Sequence, residues 1–198
     1  MRTATGPQLL IARTRRLCRA CRLWLCLFCL SIAGPQLSQA QVGSASESTL
    51  KIAFVYNFAK FTEWPAGALG PAQRPVYLCV IGEADSFGPG LAAVDGRPLA
   101  GRELKVRRIA RAAEIGACNI LFIARSEERR LPELLSQAHA QSVLTISDIG
   151  DFVDADGIIG FVNVDNKVQF EINLRSAKSA NLRISSEVLK LARTVVGK

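Results

Sequence analysis

The amino-acid sequence predicts an α/β fold: an open, mostly parallel sheet flanked by helices, with a C-terminal β-hairpin and two closing helices. Three observations carry that reading. Three short apolar runs, 76–81 (VYLCVI), 118–123 (CNILFI) and 143–146 (VLTI), have the composition of strands buried on both faces and alternate with helix-forming stretches. Beyond residue 157 the pattern changes to two β-rich runs, 158–164 and 168–172, joined by Asp165-Asn166, a pair that tolerates the left-handed backbone of a tight hairpin turn. Ahead of both stands 51–65, KIAFVYNFAKFTEWP, a dense aromatic segment of helical spacing ended by a Trp-Pro pair.

The first forty residues are set apart from this pattern. Arg13, Arg15, Arg16, Arg19 and Arg22 precede the apolar run 23–30, and Ser38-Gln39-Ala40 is a small-x-small cleavage site, so 1–40 reads as a secretory signal peptide cut near Ala40. The run is too short to span a bilayer comfortably. The remainder, 41–198, is 198 − 40 = 158 residues, one domain able to bury its own core. The formal charge of +8 shrinks accordingly: Arg2 and the five leader arginines leave 25 − 6 = 19 basic against 17 acidic residues, or +2. A nucleic-acid partner loses its compositional support. Four of the six cysteines, Cys18, Cys21, Cys26 and Cys29, go with the leader. The remaining two, Cys79 and Cys118, lie in strand-like contexts of an exported chain and suggest one disulfide rather than a metal site.

Taken in order, the first helix begins at Ser44, whose spacing to Glu47 forms a capping box, and ends near Glu63, because Pro65 disfavours helical backbone at Trp64. Its broad apolar stripe, Leu50, Ala53, Phe54, Asn57, Phe58, Phe61 and Trp64, is expected to be core. Asn57 within it is either a satisfied core amide or a contact left open. A weaker strip, Ile52, Val55, Tyr56 and Ala59, lies opposite, so the helix is either sandwiched in a core or shared with another chain. A loop runs through Pro75, then the strand 76–81, a short helix over 87–94 capped by Asp85, and a turn at Asp95-Gly96. Residues 103–109 alternate as an exposed-edge strand. The basic residues Arg102, Lys105, Arg107, Arg108 and Arg111 there are a solvated edge or a patch for an acidic partner.

Residues 112–115 form one helical turn before the strand 118–123. Ser126, Glu127 and Glu128 start a helix that Pro132 restarts and that runs to about residue 140. The strand 143–146 ends at Ser147-Asp148. After the hairpin come closing helices over 174–180 and 186–195, the latter presenting Val188, Leu189, Ala192 and Val195 for docking.

The run Phe54-x-Tyr56-Asn57-Phe58-Ala59-Lys60-Phe61-Thr62-Glu63-Trp64-Pro65 resembles the N-terminal signature of the YfiR family, periplasmic proteins that repress a membrane-bound diguanylate cyclase. Phe170-Glu171-Ile172-Asn173-Leu174, followed by Ser185-Ser186 and Leu189-Lys190-Leu191-Ala192, resembles the family's other signature. The resemblance brackets nearly all of 41–198. It implies a periplasmic repressor whose partner is the periplasmic sensor domain of an inner-membrane diguanylate cyclase, and release when an outer-membrane OmpA-like lipoprotein captures it; a homodimer is expected beside this, one reading of the two-sided first helix. Loss of the protein would then raise cyclic di-GMP and biofilm formation. The placement of Cys79 and Cys118 also resembles one of the family's disulfides. A second pair near the later hairpin is absent, which puts redox control through that bridge in doubt.

Enzyme readings fare poorly. The one histidine, His139, reads as an exposed bystander without a nucleophile motif nearby, and Gly82 to Gly88 lacks the glycine order of a phosphate-binding loop. Asp148, Asp151, Asp154 and Asp156 do not align with a calcium loop when Gly157 takes its glycine position. No catalytic residue, cofactor or metal is expected. Open α/β sheets bind ligands beyond the carboxyl ends of their strands, here Gly82, Glu83, Arg125, Ser126, Ser147 and Asp148, so a periplasmic small-molecule binding module is the alternative. For a protein partner the expected surface is Phe152, Ile158 and Phe161 as apolar anchors with Glu171, Arg175 and Lys178 as rim. The competing expectation is that these apolar residues pack under the hairpin.

Overall fold

The computed structural model describes residues 40–83 and 85–197; the predicted leader falls almost wholly outside them. Helix α1 (Ala40–Lys60) stops before the predicted Glu63. Proline at 65 forbids helix only at its neighbour, and strand pairing captures the chain sooner. Thr62 and Glu63 (β1, Thr62–Glu63) pair antiparallel with Ile184 and Arg183 (β9, Arg183–Ile184). The Thr62 hydroxyl donates to the Phe58 carbonyl at 2.7 Å and the Ser185 amide to the Phe61 carbonyl at 2.9 Å.

The main sheet contains β2 (Val76–Ile81), β3 (Pro98–Leu99), β4 (Arg102–Ile109), β5 (Ile120–Ile123), β6 (Leu144–Ser147), β7 (Ile159–Val164), β8 (Lys167–Asn173) and β10 (Thr194–Val196), in the order β10-β8-β7-β6-β5-β2-β4-β3. Only β3 with β4 and β7 with β8 are antiparallel. The latter is the predicted hairpin, turned by Asp165 (φ 50°) and Asn166 (φ 57°), the left-handed pair of a two-residue loop. Connections are made by 3-10 turns at Asp85–Ala93, Ala112–Ala117 and Arg125–Arg130, by α2 (Leu131–Ala140), with Pro132 in its first turn, and by α3 (Leu174–Ser179) and α4 (Ser186–Leu189). The predicted fold class holds. The second closing helix, however, is a single turn, because the β-branched run Thr194-Val195-Val196 is drawn into a strand parallel to β8, Val195 opposite Ile172.

Side chains alternate across the strands, and the alternation sorts the core into two layers. Leu78, Val80, Ile120, Phe122, Leu144, Ile146, Ile159 and Phe161 face α1 and the turn Asp85–Ala93. Cys79, Ile81, Leu121 and Ile123 face Leu131, Leu134, Leu135 and Ala138 of α2, Ile115, and Phe152. The predicted disulfide Cys79–Cys118 lies in this second layer, tying β2 to the residue pair that leads into β5, with Cα atoms 5.8 Å apart. Both margins of the sheet are short strands. On the β4 side, backbone groups of Gly96, Arg97 and Leu104 bond one another, and the Asp95 carboxylate accepts from the Val106 amide at 2.8 Å.

Candidate functional site

The predicted apolar anchors of a partner surface are core. Phe152 is 1% exposed, Ile158 0% and Phe161 4%. Phe152 folds beneath the hairpin because Gly157 and Gly160 leave room for its ring; a Cβ at Gly157 would collide with that ring. Phe161, on the opposite face of β7, meets the Phe58 ring at 5.8 Å. The competing expectation, packing under the hairpin, therefore describes these residues. Of the proposed rim, Glu171 pairs with Arg193 at 2.8 Å, while Arg175 and Lys178 are exposed.

The loop residues at the carboxyl ends of the strands are mostly consumed by the fold. Ser126 Oγ accepts from the Glu83 amide at 2.9 Å, and Gly82, with φ of 85°, sits so close to Ser126 that a side chain there would clash. Ser147 Oγ donates to the Ile123 carbonyl at 2.7 Å and accepts from the Ile149 amide at 3.0 Å. Arg125 donates to the Asp148 carbonyl at 2.8 Å. What stays open is a depression of about 200 Å3 displaced toward α1 and the hairpin, lined by Glu47, Lys51, Arg125, Asp148 and Asn163 with apolar walls from Phe161, Val162 and Val168. Lys51 is buried there, its Nζ 2.9 Å from Glu47 and 3.2 Å from Asp148. Two cations and two carboxylates make this depression neutral, and Lys51 ties α1 to the end of β6.

His139 is half-buried rather than an exposed bystander. Its Nε2 is buried and has no hydrogen-bond partner. Desolvation lowers its pKa, opposed by the charge and backbone of Asp156. The ring borders a cavity of about 390 Å3 with Leu131, Pro132, Leu135, Ser136, Ala155 and Asp156. Among the described residues no hydrogen bond joins Ser136 to His139. Among the described residues no cluster of three or more His, Cys, Asp or Glu is placed to hold a metal, and no helix is long and apolar enough to cross a membrane.

The basic cluster is also largely committed to the fold. Arg102 donates to the carbonyls of Leu69, Gly70, Pro71 and Arg74, holding the loop that precedes β2. Arg107 stacks 3.5 Å from the Tyr77 ring centre, and Lys105 and Arg111 pair with Glu103 and Glu114. Arg108 alone of the five has no such partner among the described residues.

The largest departure from expectation is on α1. The strip read as secondary is the buried one: Ile52, Val55 and Ala59 are core, and Tyr56 bonds the Pro98 carbonyl. The strip read as core is only half covered. Phe58 is buried, Phe54, Phe61 and Trp64 are half-buried, and Ala53 and Asn57 are exposed, as is Leu50 at 43%. Asn57 is thus a contact left open. Phe54 and Phe58 stack at 5.9 Å, and the Phe170 ring of β8 lies 5.3 Å from the first and 4.7 Å from the second. Between these rings, Phe61 and α4 runs an apolar groove of about 260 Å3, completed by Asn57, Glu187, Val188 and Leu191. Leu191 is 72% exposed. The two stretches that carry the resemblance, one around Phe54 to Phe61 and the other around Phe170 and Leu191, meet in this groove.

No curated protein matches the chain. Among solved structures, a conserved domain protein from Vibrio cholerae O1 biovar El Tor superimposes with a TM-score of 0.51 at 8% identity, over 75% of this chain and 60% of that one, a likeness of fold. The ABC domain from Streptococcus pneumoniae, solved in complex with L-Trp, gives a TM-score of 0.47 at 12% identity over 76% of this chain and 60% of that one, too low to bear on fold or ligand. This chain thus spans about 60% of the length of either structure. Over residues 48–193 the sequence matches the YfiR/HmsC-like family model, a span containing the hairpin, the disulfide and both walls of the aromatic groove, and the chain belongs to that family.

Proposed function

We propose that the protein is a periplasmic negative regulator that binds the periplasmic sensor domain of an inner-membrane diguanylate cyclase, represses cyclic di-GMP synthesis and so limits biofilm formation. Family membership over residues 48–193 carries this reading, since the family supports a periplasmic, regulatory and non-catalytic role directed at a diguanylate cyclase. The disulfide fits an oxidising compartment. Export would be by the leader 1–40, cut near Ala40, leaving 41–198 as a single domain. Homodimerisation and capture by an outer-membrane OmpA-like lipoprotein belong to the same reading. Deleting the gene in its own host should raise cyclic di-GMP and biofilm mass, and restoring it should reverse both. Unchanged cyclic di-GMP in the deletion strain refutes the proposal.

A second reading, a periplasmic small-molecule binding module, is favoured by the neutral depression beside Lys51, where paired charges stand next to apolar walls. It predicts a ligand-dependent rise in melting temperature across a panel of amino acids and vitamins. No shift with any member counts against it.

A further inference from the structure

Leu50 and Leu191 are the exposed large apolar side chains of the described residues. Leu191 lines the aromatic groove, and Leu50 lies one turn from Phe54 on the same side of α1. Both exposed leucines of the described residues thus stand near the half-buried rings of Phe54 and Phe61, a grouping that suits an interaction surface better than scattered surface leucines. The groove, of about 260 Å3, has room for a bulky side chain entering from another protein.

Its charge narrows the occupant further. Among the described residues Glu187 is the single ionisable one of the lining, it is exposed, and its carboxylate makes no ion pair. One ring at the groove already receives a cation: Lys60 Nζ lies 5.4 Å from the centre of Phe61. A lining of phenylalanine rings with one carboxylate at its mouth complements an apolar anchor followed closely by a positive charge. Asn57, exposed at the middle of the α1 wall, offers an amide to the backbone or a polar side chain of the incoming segment.

We propose that this groove between α1 and α4 is the docking site for an amphipathic segment of the cyclase's periplasmic domain, one that inserts an aromatic or long aliphatic side chain among Phe54, Phe61 and Phe170 and places a Lys or Arg against Glu187. This rests on the functional reading above and adds to it the surface and the chemistry of the contact. The mode is that of an amphipathic helix laid in an apolar groove, with few anchors supplying most of the affinity.

The test uses the full chain, exported in a deletion strain that carries the cyclase, with cyclic di-GMP as readout and binding of the purified protein to the purified periplasmic domain alongside. Leu191→Asp and Asn57→Arg alter exposed positions, so both variants should fold and melt with the wild type. Each is expected to weaken binding by at least about tenfold and to bring cyclic di-GMP toward the deletion level. Glu187→Lys should weaken binding likewise and be partly rescued by reversing the opposing basic residue on the cyclase. Arg108→Glu, on the far margin of the sheet, should repress normally. If wild-type protein fails to repress, the functional reading falls. If wild type represses and the three groove variants do so equally, the reading stands and this docking site is overturned. If the variants still repress but lose a dimer seen by light scattering for wild type, the groove joins two copies of this chain, which also overturns the proposal.

Discussion

One face of the sheet lies under α2, the turn Ala112–Ala117 and Phe152, a layer that is mainly aliphatic, stapled by Cys79–Cys118 and closed except for the cavity beside His139. The other lies under α1, whose stacked rings meet Phe161 and Phe170 but leave a groove that Leu191 overhangs without filling. The first has the construction of a scaffold and the second that of a surface with an unfinished contact. Apolar residues in the two layers should therefore differ in worth: those of the closed layer hold the fold, and the outermost ones of the open layer serve an interaction.

The largest effect should come from the staple. Closing a sequence separation of 39 residues stabilises by about 4 kcal/mol on the chain-entropy model, so Cys79→Ser should lower the unfolding free energy by that order in denaturant titrations. Two titratable thiols in residues 41–198 of the unreduced, denatured wild type would break this side of the comparison. Next, Leu134→Ala should cost about 3 kcal/mol, since Leu134 is fully buried against the second face. Asn173→Ala should cost about 2 kcal/mol: its buried amide caps α3 by accepting from the Ser176 amide and donates to the Val153 carbonyl at 2.8 Å, so one deletion leaves two backbone groups unsatisfied.

A smaller, pH-dependent effect belongs to His139 on the closed side. Its folded pKa is lowered from 6.5 by desolvation, so the unfolded chain binds more protons as pH falls through that value. Stability contributed by the neutral ring is complete above about 6.5 and declines below it. His139→Gln should flatten the melting-temperature profile over that acidic window, and an unchanged slope would show the ring to be solvated. Smallest of all, Leu191→Ala should change stability by less than about 0.5 kcal/mol, and a loss comparable to that of Leu134→Ala would erase the distinction between the layers.

The same contrast marks what was legible in the sequence. The strands at 76–81, 118–123 and 143–146 could be read because residues buried on both faces leave an unbroken apolar run, and the hairpin because Asp165-Asn166 is a strong local turn signal. Pro132 as a helix restart and the pairing of Cys79 with Cys118 were legible for the same reason: each is a constraint of local chemistry or of simple count. The side of α1 that meets the sheet was not. Aromatic bulk at Phe54 and Phe61 outweighed Ile52 and Val55 in the periodicity, yet the sheet and the nearby Gly90 accept the compact aliphatic side and leave those two rings half-covered. The exposure of 152–161 was misjudged because the room made by Gly157 and Gly160 is a tertiary fact. The burial of Lys51 escaped for a similar reason, since its partner Asp148 is 97 residues away.

The strand margins bear on how partners of this protein change over evolutionary time. The sheet ends in strands of two and three residues that cover only part of β4 and β8, and the outer stretch of β4 is blunted by Asp95 on the Val106 amide and by the charges of Arg107 and Arg108, which disfavours a foreign strand there. Strand addition draws its affinity from main-chain bonds that any sequence can supply. Where that route is disfavoured, recognition passes through side chains. A gene duplicate of this chain could therefore be insulated from its parent's partner by a few point substitutions, with no rebuilding of the backbone.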